Sequence, residues 1–367
     1  MNIAIVFGGK SVEHDVSIVT AKQIHNICKD MYDTTLIYVD KNGQLNLYKN
    51  HKFNFEDFKN KNRYFVPITI NKGCVCNQTT LGLKKLHKID CAIMCTHGGD
   101  GENGTLSSYF ITAQIPVTAG SSVALGISMD KWLSKQFFKA NKIMCAKGIF
   151  ADAKTSIDQL DNKIIKTFGY PVIVKPNNGG SSIGIKTANN KTQLKHALDI
   201  ALEFDNSAVI EQKLQNFTEF NCAVFGDGEN LQISKIDEPI KTDQILSFSD
   251  KYLNKDNSKC QKSSMKTQAR KYPELEPWLR QKIQKTSNEI FKRLGFWGVV
   301  RIDYIYTPQN KKLYVNEINA IPGSLASYFF ANSKLEYNLF IEKLVNIGVK
   351  NYAKYANINK NFITKLF

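Results

Sequence analysis

Apolar residues in this chain fall into short strand-like runs, separated by glycine-rich or polar segments and by stretches with helical spacing. Asn2 to Phe7 is continuously apolar apart from its first residue and predicts a buried first strand. The segment from Gly8 to Ser17 predicts a loop, and a helix follows over about Ser17 to Cys28. Thr34 to Val39 and Ile89 to Thr96 predict two more strands, the second ending at His97-Gly98-Gly99-Asp100-Gly101-Glu102-Asn103-Gly104, with a helix from about Thr105. Strand, glycine loop and helix in that order place a ligand at the carboxyl ends of parallel strands. Residues 41–88 are polar and weakly patterned, and predict short strands and loops.

Residues 121–211 predict a smaller unit. Trp132, Leu133, Phe137 and Phe138 give helical spacing over Met129 to Asn141, and Thr192 to Glu203 predicts a second helix. Pro171 to Pro176, Ile183 to Lys186 and Ala208 to Glu211 predict strands. Residues 212–367 form a third unit: strands near Phe220 and Leu231, a polar loop over 248–269, a helix over Glu276 to Leu294, a hairpin, and a helix near Leu335 to Tyr352. The fold class is therefore mixed α/β, with an open parallel sheet in residues 1–120, a central unit over 121–211 and a C-terminal unit over 212–367.

The hairpin carries the clearest chemistry. Val299 to Tyr306 and Leu313 to Asn319 are β-rich runs around the turn Thr307-Pro308-Gln309-Asn310. Alternate strand residues share a face, so Glu317 and Asn319 point the same way and Asp303 can meet them from the partner strand. Two carboxylates and an amide are oxygen donors suited to Mg²⁺ beside substrate phosphates. Apolar neighbours Ile302, Tyr304, Val315 and Ile318 argue against a solvated surface ribbon, because buried carboxylates need a cation or a full hydrogen-bond set. Pro322-Gly323-Ser324 then offers backbone N–H groups to a developing oxyanion.

Lys175-Pro-Asn-Asn-Gly-Gly-Ser-Ser-Ile-Gly184 has the makings of a phosphate cradle: glycines that let backbone N–H groups approach an anion, paired serines and a lysine. It lacks the Gly-Lys-Ser/Thr ending of a P-loop, and Gly8-Gly9-Lys10-Ser11 lacks dinucleotide-fingerprint spacing. Glu13 and His14 precede a helix, where an acidic residue is often a simple dipole partner. Lys131, Glu211 and Glu219 are unremarkable by local pattern.

Composition narrows the field. The formal charge of +16 invites a nucleic-acid reading, but 44 of the 49 basic residues are Lys. They are scattered, and Arg is the residue suited to bidentate base and phosphate contacts. No nucleic-acid partner is expected. No 18-residue apolar span occurs, and Met1 to Phe7 lacks a basic n-region and is too short an apolar run for a signal peptide, so no membrane partner and a cytoplasmic location are expected. The eight cysteines lack zinc spacing; Cys74-Val-Cys76 has no second pair, and buried reduced thiols are expected.

Six motifs in order resemble the D-alanine–D-alanine ligase family of the ATP-grasp superfamily, over Asn2 to about Phe330. They are Phe7-Gly8-Gly9…Glu13…Ser17, His97-Gly-Gly-Asp-Gly-Glu102-Asn-Gly, Met129-Asp130-Lys131, Val174-Lys175…Gly180-Ser181-Ser182-Ile-Gly184, Arg301-Ile-Asp303 and Glu317-Ile-Asn319-Ala-Ile-Pro-Gly323. The resemblance implies a three-domain ATP-grasp architecture. It also implies an activity: two D-alanines are joined through an acyl phosphate, with ATP, for peptidoglycan precursor synthesis. By resemblance, Glu13 holds the first substrate's ammonium and orients a Ser–Tyr pair made of Ser181 and Tyr252. Lys131, Lys175 and Lys251 contact ATP, Glu211 lies by the adenine and Glu219 binds the ribose. Asp303, Glu317 and Asn319 hold two Mg²⁺, or Mn²⁺ in their place. Arg301 and the Gly323 N–H stabilise the intermediates, His97 sits near the substrates, and Ser324 is a candidate grip for the second substrate. A homodimer is also implied.

The chain departs from the family pattern at three places. The closing loop Ile245 to Tyr252 is shorter than usual, although its Lys-Tyr end survives. Beyond Gly323 the run Ser324-Leu-Ala-Ser-Tyr328-Phe329-Phe330 replaces the usual Met-Thr and Ser-Leu. This leaves a different second amino acid, such as D-serine, as the alternative acceptor. Residues 41–88 lengthen the first unit.

Overall fold

The computed structural model describes residues 1–50, 52–59, 63–239 and 270–358. Tyr252, Lys251, Cys260 and the polar loop over 248–269 lie outside the described residues.

The first strand, Asn2–Gly8, sits inside a five-stranded sheet between Asp33–Val39 and Cys91–Met94, and it pairs in parallel with both. Burial from both sides explains its unbroken apolar run: Ile3, Ala4, Ile5, Val6 and Phe7 are fully buried. Two further strands, Leu45–Tyr48 and Phe65–Pro67, extend the sheet antiparallel on one edge. The weakly patterned stretch over 41–88 thus supplies two sheet strands and a separate three-stranded sheet of 69–71, 74–79 and 82–88. The first helix runs His14–Cys28 and starts earlier than its apolar spacing indicates, because His14 turns inward: Nδ1 pairs with Gly9 O and Nε2 with the Tyr38 hydroxyl.

The predicted helix over Met129 to Asn141 forms as Lys131–Ala140, and a short helix not expected from the sequence, Ser122–Met129, precedes it. Asp130 divides them. Its backbone is extended, and its carboxylate accepts from Leu133 N–H and Asn177 Nδ2. The central sheet is wholly antiparallel, in the order Lys186–Ala188, Val172–Pro176, Ser207–Gln212 and Gly148–Asp152. Helices Ile157–Thr167 and Lys191–Leu202 bury Leu160, Ile164, Leu194, Ala197, Leu198 and Ala201 into its own hydrophobic core. Ile183 is not in a strand. Ser181, Ser182 and Gly184 hold positive φ, so the chain stays in a turn until Lys186.

The C-terminal sheet runs Leu231–Ile233, Thr218–Gly226, Gly298–Thr307 and Lys312–Asn319, all antiparallel. Helix Pro277–Leu294 buries Leu279, Ile283, Ile290, Phe291 and Leu294 against it. The last helix, Lys334–Ala356, starts in a capping box of Ser333 and Glu336. It lies against the first helix, Cys91–Met94 and Gly298–Thr307. At Gly348 it approaches closely enough that a Cβ would lie 2.8 Å from Val117 O. One continuous core therefore joins the N-terminal and C-terminal units, and the central sheet keeps a separate core. The seven described cysteines are free and six are buried. No described helix is long and apolar enough to cross a membrane.

Candidate active site

The hairpin face forms as its alternation predicts. Arg301 pairs with Asn319 and Asp303 with Glu317, so all four side chains leave the same face. A bulge follows immediately, since Tyr304 pairs with Val315 and leaves Asn316 extra. Arg301 binds Asp303 in a fork, Nε to Oδ1 at 2.7 Å and Nη2 to Oδ2 at 2.8 Å. Asn319 Nδ2 donates to Asp303 Oδ2 at 3.0 Å. On the neighbouring strand, the Asn221 amide in its hydrogen-bonded orientation donates to Asp303 Oδ1. Burial works against the Arg301 charge, but Asp303 and the Tyr328 hydroxyl hold its pKa well above the ordinary value. Among the described residues no three His, Cys, Asp or Glu side chains cluster as a metal site. The hairpin offers two carboxylates and an amide.

Across the cleft, Glu13 precedes the first helix and meets the glycine loop. Ser181 Oγ donates to Glu13 Oε1. Gly180 is packed on the same carboxylate: a Cβ there would lie 2.5 Å from Oε2 and 2.8 Å from Oε1. Gly98 closes the other side at φ +66°, where a Cβ would lie 2.8 Å from Glu13 Oε2. Glycines from two distant loops thus leave room for one acid.

The lysines gather behind this loop. Lys131 Nζ donates to Gly179 O at 2.5 Å. Burial lowers its pKa and Lys175 adds to this, while Glu317, Glu211 and Glu13 oppose it. Lys175 Nζ lies 2.7 Å from Glu211 Oε2, and Lys135 Nζ lies 2.9 Å from Glu211 Oε1. Burial alone would push Glu211 up, yet Lys135 and Lys175 hold it down to about 2. Glu219, on the strand paired with the hairpin, adds a negative charge felt by Lys175.

His97 is buried between the first helix and the segment after the hairpin. A carbonyl can only accept, so His97 Nδ1–H donates to Ile321 O at 2.8 Å and Nε2 accepts from Thr20 Oγ1 at 2.8 Å. Burial lowers its pKa to about 4, so the ring is neutral near pH 7 and orients groups rather than supplying charge. Thr20 Oγ1 also accepts from Ser324 N–H at 3.2 Å, and Ser324 Oγ donates to Gln23 Oε1. Glu102 takes the other side of Ile321, accepting its N–H at 3.2 Å and Gly98 N–H at 3.0 Å. Burial and the nearby Glu13 raise Glu102 to about 7. Ser324, Leu325 and Ala326 all hold positive φ, a strained left-handed turn fixed by these contacts with the first helix.

The family description "D-ala D-ala ligase N-terminus" matches residues 2–120 and "D-ala D-ala ligase C-terminus" matches residues 144–346. The chain belongs to the D-alanine–D-alanine ligase family. The D-alanine–D-alanine ligase of Thermosipho melanesiensis is 32% identical over 99% of this chain and 98% of that protein. The corresponding ligase of Helicobacter acinonychis is 31% identical over 98% and 99%. The crystal structure of the Helicobacter pylori D-alanine–D-alanine ligase superposes with a TM-score of 0.75 at 26% identity, covering 94% of this chain and 98% of that one. The VanG D-Ala:D-Ser ligase of Enterococcus faecalis superposes equally well, with a TM-score of 0.75 at 25% identity over 94% and 98%. The architecture is ATP-grasp, and membership in the ligase family implies the use of ATP.

Within this ligase fold the sequence-derived residues Glu13 and Ser181 touch, as do Arg301, Asp303 and Asn319, and Lys175 and Glu211. Tyr252 and Lys251 lie outside the described residues. Sequence reasoning missed Thr20, Gln23, Glu102, Lys135, Asn221 and Tyr328 as partners. Glu102 had a signal, its place in the glycine segment after His97. Lys135 had a weaker one, four residues after Lys131 and thus on the same helix face.

Proposed function

We infer that this protein is a D-alanine–D-alanine ligase, joining two D-alanines at the expense of ATP for peptidoglycan precursor synthesis. One arrangement supports the reading: the glycine loop meets Glu13 through Ser181 and Lys131 through Gly179 O, and the strand before it holds Lys175 against Glu211. A carboxylate is a poor electrophile. Transfer of the γ-phosphoryl group to the first D-alanine's carboxylate gives an acyl phosphate and ADP. The second D-alanine's amine attacks that carbonyl, loses a proton and expels phosphate. Catalysis then rests on positioning and charge stabilisation.

In this reading Glu13 holds the first ammonium and orients Ser181, with Tyr252 completing the pair from the closing loop. Lys131, Lys175 and Lys251 contact the phosphates, Glu211 the adenine and Glu219 the ribose. Arg301 and the Gly323 N–H stabilise negative charge on the acyl phosphate and the tetrahedral intermediate. Neutral His97 fixes Ile321 and Thr20, which places Ser324 toward the second substrate. Asp303, Glu317 and Asn319 would hold Mg²⁺, or Mn²⁺: their side chains leave one face of the hairpin, and two carboxylates and an amide are the oxygen donors such a cation takes. When bound, the cation neutralises phosphate oxygens. The domain limits 1–120, 121–211 and 212–367, a cytoplasmic location and a homodimer belong to the same proposal.

The test is phosphate release with ATP against a panel of D- and L-amino acids, with the dipeptide identified by mass spectrometry. Turnover with D-alanine alone is expected. No product without a second amino acid such as D-serine would overturn the choice of acceptor. No phosphate release with any amino acid would overturn ligase chemistry.

A further inference from the structure

The buried ion set behind the glycine loop contains one cation more than the motifs account for. Lys135 is only 8% exposed, and its ammonium lies 2.9 Å from Glu211 Oε1 and 2.8 Å from Ala146 O. Lys175 takes the other carboxylate oxygen at 2.7 Å, and Glu211 itself is 5% exposed. One buried carboxylate thus holds two ammoniums, one on each oxygen. The path of Lys135 is built for it: a Cβ on Gly148 would lie 3.0 Å from its Cδ and 3.1 Å from its Cε.

The arrangement matters once a polyphosphate enters. Lys175 would share its ammonium with a phosphate and loosen its hold on Glu211. A buried carboxylate stripped of its only partner is strongly destabilising. Lys135 comes from a different element, the helix Lys131–Ala140, and its second bond goes to a backbone carbonyl rather than toward the glycine loop. It can therefore keep its hold on Glu211 while Lys175 turns.

We propose that Lys135 is a positioning residue of the nucleotide site, holding Glu211 ionised and in place so that Lys175 is free to bind phosphate. This rests on the reading of the cleft as a nucleotide site. With Glu211 fixed, a purine edge meets an acceptor in a defined orientation, and the phosphates meet Lys175 without stranding a charge.

The test is a double-mutant cycle on ATP binding and turnover. Calorimetric titration of the wild-type protein with ATP comes first, and absence of binding would overturn the site reading and this inference with it. Lys135→Met is expected to raise the KM for ATP about tenfold or more while kcat changes less than about threefold. Lys135→Arg should recover most of the loss. In a Glu211→Gln background the same Lys135→Met change should have less than about a twofold effect, because no carboxylate remains to neutralise. Wild-type binding with an unchanged KM in Lys135→Met, or an equal effect in both backgrounds, would overturn the inference alone. If Lys135→Met does not fold, the pair Lys135→Met/Glu211→Gln should recover a cooperative thermal transition. A pair that stays unfolded would make Lys135 a general structural residue and sink the proposal.

Discussion

Ser181 Oγ donates a hydrogen bond to Glu13 Oε1 although 168 residues separate them in the chain. The contact closes the glycine loop of the central unit onto the first helix of the N-terminal unit. Gly180 makes the approach feasible, since any side chain there would run into the same carboxylate. Gly180→Ala is therefore expected to displace Glu13 and lower kcat/KM for D-alanine by about a hundredfold. Its melting temperature should stay within a few degrees of wild type, since the site is a cleft wall and not core. Steady-state kinetics beside a thermal melt would check this; unimpaired kinetics would show that the carboxylate tolerates the methyl group.

The fork between Arg301 and Asp303 makes the two residues unequal to their isosteres. Arg301→Lys keeps the charge and loses the planar pair of donors. It is expected to lower kcat by about a hundredfold or more with a small change in stability. Asp303→Asn leaves the mostly buried Arg301 without its carboxylate and should cost about 3 kcal/mol of stability or more. Urea denaturation of both variants separates the two effects. Equal stability losses would contradict the assignment.

Glu317 is expected to be required for cation-dependent nucleotide binding. Glu317→Ala should abolish turnover and remove the Mg²⁺ dependence of ATP affinity, read by calorimetry with and without Mg²⁺. Retained Mg²⁺ dependence would refute the metal assignment.

His97 and Glu102 predict opposite slopes of stability against pH. His97 is held down to about 4 by burial, so the unfolded chain binds its proton first on acidification. Its contribution, about 3 kcal/mol, is present above pH 6.5 and is lost as the pH falls toward 4. Glu102 is raised to about 7, so the native state binds its proton first and stability falls as the pH rises from about 4.5 to 7. The two oppose each other between about pH 4.5 and 6.5. Glu102→Gln should therefore lose stability on acidification in that window more steeply than wild type, and His97→Gln less steeply. Denaturant titrations at several pH values check the signs. Matching slopes in the two variants would refute one or both assignments.

Ser324 Oγ donates to Gln23 on the first helix, and Ser324 is the proposed grip for the second substrate. Gln23→Ala should raise the KM for the second D-alanine about tenfold and leave the KM for ATP unchanged. Initial rates over a D-alanine series, fitted for two sites, give the answer; a shift in the ATP constant instead would place Gln23 elsewhere.

Patterns of short range were legible in the sequence. The apolar run Asn2–Gly8 had to be a doubly covered strand, and the hairpin's alternation put Asp303, Glu317 and Asn319 on one face. The hairpin follows from the two-residue period of a strand and the first strand from the shortness of its unbroken apolar run, and a local stretch of sequence contains either signal in full. Misses were of boundary. Asp130 caps Lys131–Ala140, so that helix starts two residues later than its apolar spacing indicates, and Gly184 at positive φ prolongs the turn, so the strand expected from Ile183 begins only at Lys186.

The motifs' order and identity pointed to the family and to ATP-dependent joining of amino acids, because each motif carries a chemical requirement in its residue types, while the run beyond Gly323 left the second amino acid open. Which of them touch was decided only in three dimensions. Glu13 with Ser181, Ser324 with Gln23 and Glu211 with Lys135 join residues from separate elements, and no local period encodes such a meeting. Charge burial belongs to the same class. Lys135 and Glu102 look like ordinary solvated side chains until packing removes their water, and only then does a neighbour determine whether the charge persists.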